Sequence, residues 1–490
     1  NDNAFNSTQM HGIGLHIYGS YVDVTQKAAL NAGGEYGIGI RVDGMRNNVT
    51  IDEDITANNI GGNGLLVAYG KEHEITLSAG NTIEATGADG VAARFDFGSN
   101  ELGDQAGYRG SYINVKYNDP NADGDDEDED EESVEGELLL AKSKSQEETQ
   151  GSWVQDDLPD AIDGALVENF NVAGKLIGNE AAIYISPNAY VKNINILEGA
   201  EITGDIISEW NPNAIIYQNE DAEESLAPLL PDDDDGLTHL NFGYASDASG
   251  NLLLNEQEQL VADANYTKEL SNNILGKDSL VIDLWAGELK TSGTNNVNIV
   301  HVADGASTQY TNTGDLTINS SLVVKGTFVN EGTLQTSFDE DGRSMEISGS
   351  GNAYLTETAN GKFVLNAEES LYKDTTTIYL INHIAGDPTV EINADNLLVN
   401  SNSATLKMTA EVDEYTKNIT ISTVRDYTPF AGTDAEGQLA IQLAEKASAL
   451  AGIEEQNLSE LDQKWANLLA GMDYNDSTGA TAKQAMKALT

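Results

Sequence analysis

GIGLHIYG (12–19), GIGIRVDG (37–44), GLLVAYG (64–70) and GVAARFDFG (90–98) are near-copies of one phrase, opened by Gly12, Gly37, Gly64 and Gly90 at intervals of 25, 27 and 26 residues. Each phrase alternates apolar and other residues, the period of a β-strand, and closes on a second glycine. A second alternating run follows each of the first three, YVDV (21–24), NVTI (48–51) and HEITL (73–77), and then a third, ALNA (29–32), DITA (54–57) and TIEA (82–85). Three short strands recurring every 26 residues or so predict the coils of a β-solenoid, in which each coil buries its apolar face against its neighbours. Gly12, Gly37, Gly64 and Gly90 are expected to stack in register along one edge. Gly and Asn at the corners are read as the residues that turn the chain, because both adopt positive φ at low steric cost.

The chain has 490 residues, with Gly 47, Pro 8 and no Cys, and Lys+Arg 25 against Asp+Glu 81 gives a formal charge of −56. Such a charge opposes binding to nucleic acid and to anionic lipid, both of which need a basic face. With no cysteine, disulfides play no part. No run of about 18 apolar residues occurs, so no helical membrane span is expected. No signal-peptide pattern is read at the start, and Asn1 is expected to lie inside a coil, as in a processed or truncated segment.

The pattern divides the chain. Residues 1–116 carry the regular coils, and 117–160 form an acidic insert beginning NDPNADGDDEDEDEESVEGE. Coils resume over 161–350, with strands AAIYIS (181–186), YVKNINIL (190–197) and AEITGDII (200–207) and a second acidic loop near 220–236 that contains PDDDDG (231–236). Residues 351–428 form a denser C-terminal β segment, including FVLN (363–366) and TIYLIN (377–382). Past Pro429 the period becomes 3.6. Leu439, Ile441, Leu443, Ala447 and Leu450 are read as one helical stripe, and Leu458, Leu461, Trp465, Leu468 and Leu469 as another. The expected fold is all-β, a right-handed parallel β-helix (solenoid) with acidic loop insertions and a short C-terminal α-helical segment at 429–490.

GVAARFDFGSN (90–100), AAIYISPNAYVKNINILEGAEITGDI (181–206), GTFVNEGTLQ (326–335) and the tail NDSTGATAKQAMKAL (475–489) resemble the passenger of a classical autotransporter of type V secretion. The resemblance is greatest to the stalk of autotransporters that carry a subtilisin-like protease, and it covers nearly the whole chain. It implies a secreted β-helix displayed on the bacterial outer membrane. Residues 351–428 would serve as folding nucleus and cap, and the helical segment would lead to a membrane barrel beyond this chain. The two acidic inserts depart from the family's plain coils.

MHGIGLH (10–16) and GRSMEISG (342–349) are superficially similar to the histidine and serine segments of subtilisin-like enzymes. His11, however, falls on the repeat, whose other copies carry Tyr36, Asn63 and Asp89, and Ser344 precedes an alternating strand. Only Asp2 precedes His11, where the family's triad order needs an aspartate on a strand. No enzyme is expected, and any protease domain would lie upstream of residue 1. Asp43, Asp52 and Asp96 could be read as paired carboxylates of a polysaccharide-active β-helix. Against this, no Arg or Lys cluster is evident beside them. His73, His239, His301 and His383 are scattered singly.

DPNADGDDEDED (119–130) fits a calcium loop, with Asp119, Asn121, Asp123, Asp125 and Asp130 as oxygen ligands and Gly124 at the sharp turn. The competing reading is a solvated loop of like charges. No cofactor is required; Ca²⁺ is the one ligand the spacing suggests. The function expected is that of a cell-surface adhesin or aggregation rod, met by a protein or glycan on a host or neighbouring cell, or by another copy of itself. Nucleic acid is not an expected partner. The alternatives are a non-catalytic stalk for an upstream protease and a polysaccharide-active enzyme.

Overall fold

The structure is a computed structural model that describes residues 5–96, 164–187, 189–212, 215–219, 222–225, 230, 234–247, 249–310, 315–318, 327–348, 351–356, 358–381, 389–453, 455–473 and 476–490. Within 97–163 it describes only the strands at 111–112, 115–118, 152–155 and 160–161. The described chain is mostly β, built of parallel solenoid-like ladders, with a helical C-terminal segment. Two compact units divide it: residues 1–263 with 272–282, and residues 264–271 with 283–490.

In the first unit, three strands make each coil. β1 (Phe5–Ser7), β4 (Leu30–Ala32), β7 (Ile55–Thr56) and β10 (Thr82–Ala85) form one parallel ladder. β2 (Ile13–Ile17), β5 (Ile38–Val42), β8 (Asn63–Val67) and β11 (Val91–Phe95) form the second. β3 (Asp23–Gln26), β6 (Asn48–Ile51) and β9 (His73–Leu77) form the third. Alternate side chains point inward, so Ile40, Val42, Val49, Ile51, Leu65, Val67, Ile75, Leu77, Ala93 and Phe95 are fully buried along the stack. Val167–Val172 pairs with β9 as the next coil should. Lys175–Ile185 then pairs with both β10 and β11.

The register corrects the expected glycine edge. Ile13 pairs with Ile38, Ile38 with Asn63, and Asn63 with Val91, so the stacked corner glycines are Gly12, Gly37, Gly62 and Gly90. Gly64 belongs instead to a ladder with Gly14, Gly39 and Ala92. A Cβ on Gly64 would stand 2.1 Å from Ile83 Cγ2 and 2.7 Å from the Ala92 carbonyl oxygen, so this strand position needs glycine for close approach. The left-handed corner residue is also not the expected one. It precedes the glycine, at His11 (φ 55°), Tyr36 (55°), Gly61 (64°) and Asp89 (58°). A second left-handed corner carries Tyr21 (58°), Arg46 (52°) and Glu72 (53°). At both corners the N–H of the left-handed residue donates to a carbonyl of the following coil, as in Tyr36 to Ile60 at 2.7 Å and Tyr21 to Met45 at 2.8 Å.

The second unit contains a six-stranded parallel ladder from Thr267–Leu270 through Glu288–Thr291, Ser307–Tyr310, Thr333–Phe338 and Lys362–Ala367 to Leu397–Asn400. A three-stranded antiparallel sheet follows, with Ile419–Arg425 between Thr375–Ile378 and Leu406–Val412. Helices α1 (Asp434–Ala451), α2 (Glu460–Asp473) and α3 (Ala480–Leu489) close the chain. Thr433 caps α1 by accepting from the Glu436 N–H at 3.2 Å. The helices bury Ala440, Leu443, Ala447, Leu450, Leu469, Met472, Ala482 and Met486 around Tyr427. Three residues of the expected stripes fall elsewhere: Ile441 is 47% exposed, Leu461 65% and Leu468 37%. Among the described residues no helix is long and apolar enough to cross a membrane.

Candidate functional site

The outward face of β2, β5, β8 and β11, flanked by the two left-handed corners, concentrates the chemistry of the first unit. Strand alternation sends Arg41 outward from β5, and Asp43 follows at the strand end. Asp43 Oδ2 lies 2.5 Å from His16 Nε2 and 2.8 Å from Arg41 Nε, with its side chain 2% exposed. Burial alone would push the Asp43 carboxyl up. The hydrogen bonds from His16 and Arg41 and the Arg41 charge prevail and hold it below the usual range.

Val42, Val67 and Phe95 pair in sequence, so the residues after them, Asp43, Ala68 and Asp96, share one position on the face. Asp43 and Asp96 are therefore two rungs apart, about 10 Å at the usual strand spacing. Asp96 shifts the opposite way. Burial raises it, against a hydrogen bond from Ser186 and the Arg94 charge. Arg94 donates to Asn63 Oδ1 at 2.8 Å, lies 4.0 Å from Asp96 and stacks 4.7 Å above the Tyr184 ring. The Tyr184 hydroxyl donates to Glu209 at 2.5 Å. Two of the three expected carboxylates are thus brought to one face, and Asp52 is exposed at another corner after β6. Each of the two acids has one arginine beside it, Arg41 by Asp43 and Arg94 by Asp96, and Arg94 is further engaged by Asn63 and Tyr184. Asp43 is enclosed by His16 and Arg41 and acts as a tie between coils.

The face is edged by exposed aromatic and apolar side chains. Tyr36 stacks on His11, ring centroids 5.3 Å apart and planes at 12°, and its ring lies over Gly61. At the other corner, the Arg46 guanidinium lies 5.9 Å over Tyr21 and pairs with Glu72 at 2.5 Å. Met10 is 58% exposed, Tyr21 63%, Tyr36 44% and Tyr18 43%. Sequence reading missed these corners. The signal was present in the spacing of Tyr21, Arg46 and Glu72, which repeats the coil length without a shared residue type.

The subtilisin-like segments resolve into coil features. His11 is the corner residue stacked on Tyr36. Ser344 is buried, and its hydroxyl donates to the Ser337 carbonyl at 2.7 Å. His73 is fully buried, 2.9 Å from the Tyr69 carbonyl oxygen, and burial lowers its pKa to about 4. His239 lies 3.4 Å from Asp235. His301 sits between Asp283 at 3.3 Å and Glu331 at 3.6 Å, with Trp285 edge-on at 5.4 Å. Its pKa is raised, first by the Asp283 hydrogen bond. Asp234, from the second acidic run, accepts from the Tyr190 hydroxyl at 2.6 Å and from the Gly236 N–H at 2.9 Å.

Asp119, Asn121, Asp123, Asp125, Asp130 and His383 lie outside the described residues. Among the described residues no group of three or more His, Asp or Glu stands where a metal ion could be held. A polar ladder went unnoticed in the sequence: Asn241 donates to Asn195 at 3.0 Å, Asn195 to Asn171 at 2.8 Å, and Asn171 to Thr76 at 3.3 Å. An open groove of about 640 Å³ in the second unit is lined by Asp341, Arg343, Lys373, Leu450, Ile453 and Leu458. Both of its cations already face Asp341, at 3.9 and 3.4 Å.

No protein-family model, no protein of described function and no solved structure matches the chain. The likeness to autotransporter passengers rests on the sequence phrases alone.

Proposed function

We propose that this chain is a right-handed parallel β-helix passenger of the classical autotransporter kind, displayed outside the cell and acting by adhesion without catalysis. The observation that carries the reading is the pair of solvent-facing corners in the first coils, where Met10, Tyr36, Tyr18 and Tyr21 project from a rigid strand stack. Large aromatic side chains on a fixed scaffold give contact area at low entropic cost, and several such side chains on the first coils add weak contacts together. The acidic insert at 117–160 takes Ca²⁺ through Asp119, Asn121, Asp123, Asp125 and Asp130 on this reading. The partner is a protein or glycan of a host or neighbouring cell.

The test is display. The 490 residues are fused to an outer-membrane barrel, and attachment to a cell layer and cell settling are measured against the barrel alone. Increased attachment or settling, diminished by substitutions at Tyr21 and Tyr36, is the expected result. Unchanged behaviour in both assays sinks the adhesive reading and favours the stalk.

A further inference from the structure

The aromatic corners lie where the chain carries least charge. From Phe5 to Ile51 the acids are Asp23, Glu35 and Asp43 and the bases Lys27, Arg41 and Arg46, three of each, whereas the whole chain is at −56. Two copies meeting through most of their length would bring like charge against like charge, which is costly at this net charge. Over the first two coils that repulsion is smallest.

We propose that these two coils, together with the corner residue Glu72 of the third, bind a second copy of this chain, with Tyr21 and Tyr36 in the contact. The proposal rests on the adhesive reading above and names its partner. The surface has the composition of an interface, since aromatic side chains, Met and Arg are the types enriched where proteins associate. It is also self-complementary in charge. Arg46 and Glu72 are neighbours on one corner, 45% and 36% exposed. A two-fold axis running between two such corners sets Arg46 of each copy against Glu72 of the other, the reciprocal pairing an isologous dimer requires. A glycan, by contrast, would gain nothing from a balanced charge in an acidic chain.

The fold supplies the variants for the test. Glu72 occupies the left-handed corner that Tyr21 occupies two coils earlier, and Asp89 the corner that Tyr36 occupies. Tyr21→Glu with Tyr36→Asp therefore places side chains the coil already accepts there. Tyr415→Glu with Val424→Glu adds the same charge at residues 91% and 62% exposed in the second unit. Sedimentation equilibrium on the full chain at about 0.15 M salt and above should show a reversible dimer that salt strengthens, as repulsion between the acidic remainders is screened. The corner pair of substitutions should weaken it at least tenfold, and the control pair should not. A monomer throughout, to the limit of about 1 mM, overturns the proposal, as does equal weakening by the control or an assembly that the corner variant leaves intact. Adhesion in the display assay without dimerisation in solution would sink this inference and spare the reading beneath it.

Discussion

Arg425 and Asp473 form an ion pair, Nε to Oδ2 at 2.6 Å, with 2% and 0% of their side chains exposed. It ties the central strand of the antiparallel sheet, Ile419–Arg425, to the last turn of α2. Thr405 donates to the other Asp473 oxygen at 2.8 Å, and Arg425 donates to the Tyr372 carbonyl at 2.7 Å. Burial pushes the Asp473 carboxyl up against the pull of Arg425. A pair so desolvated contributes little net stability while intact, yet either half alone is a buried, unmatched charge. Asp473→Ala should therefore destabilise the second unit by about 3–5 kcal/mol. Denaturant unfolding checks it, and a loss under 1 kcal/mol, roughly the scale of an exposed pair, would show that the pair is solvated in solution.

Gly64→Ala should destabilise the first unit by about 1–3 kcal/mol, because the added methyl meets Ile83 Cγ2 in a packed interior. The double variant with Ile83→Leu, whose side chain lacks the Cγ2 branch, relieves that contact and should recover part of the loss. No recovery in the thermal melt would place the strain on the Ala92 carbonyl instead.

Two histidines should give pH dependences of opposite sign. His301 has its pKa raised in the folded chain, so its stabilisation is complete below the unfolded value near 6.5 and is lost as pH rises through the folded value. His73 is lowered to about 4, so the native state resists a proton that the unfolded chain accepts. Its contribution is complete above about 6.5 and is lost, up to ~3 kcal/mol, as pH falls toward 4. His301→Gln should flatten the upper limb of the stability profile, and NMR titration of His73 should show no protonation at pH 6.

Ser344→Ala should leave the chain without peptide hydrolysis, as the parent is expected to be. It should lower stability by about 1 kcal/mol, since the hydroxyl is buried and bonded to Ser337. A proteolytic activity lost on this substitution would overturn the reading of GRSMEISG as a coil segment.

Calcium should protect 117–160 from proteolysis and raise the melting temperature by binding the native state. Magnesium should do less, because it needs octahedral geometry and releases water reluctantly. Asp119→Ala with Asp123→Ala should abolish the difference. If parent and variant respond alike, the insert merely screens charge.

Much of this fold was legible because a solenoid repeats itself. The alternation in GIGIRVDG and NVTI located β5 and β6, and the phrases at 181–207 fell on strands. The misplaced glycine has a specific cause. The third coil holds three glycines within four residues, Gly61, Gly62 and Gly64, and the phrase GLLVAYG opens on the last, whereas register is fixed by which residue turns left-handed. Ile441, Leu461 and Leu468 fall on the exposed arc because a helix at the surface buries only the arc its neighbours cover. Asp43 and Asp96 each follow an arginine by two residues at the end of one strand, in RVD (41–43) and RFD (94–96), but the two pairs lie far apart in the chain. Arg94 is 53 residues from Arg41, and only the pairing of β5, β8 and β11 aligns them.

The left-handed corners have a consequence for how such a chain can change over time. His11, Tyr36, Gly61 and Asp89 hold one backbone shape with four different side chains, and so do Tyr21, Arg46 and Glu72. The conformation burdens every non-glycine residue there by a similar amount, of order 1 kcal/mol, and the side chain meets solvent rather than core. Replacing one corner residue by another is therefore nearly neutral for folding while rewriting what the surface shows. An epitope or a binding preference can drift rung by rung, and the interior needs no compensating substitution.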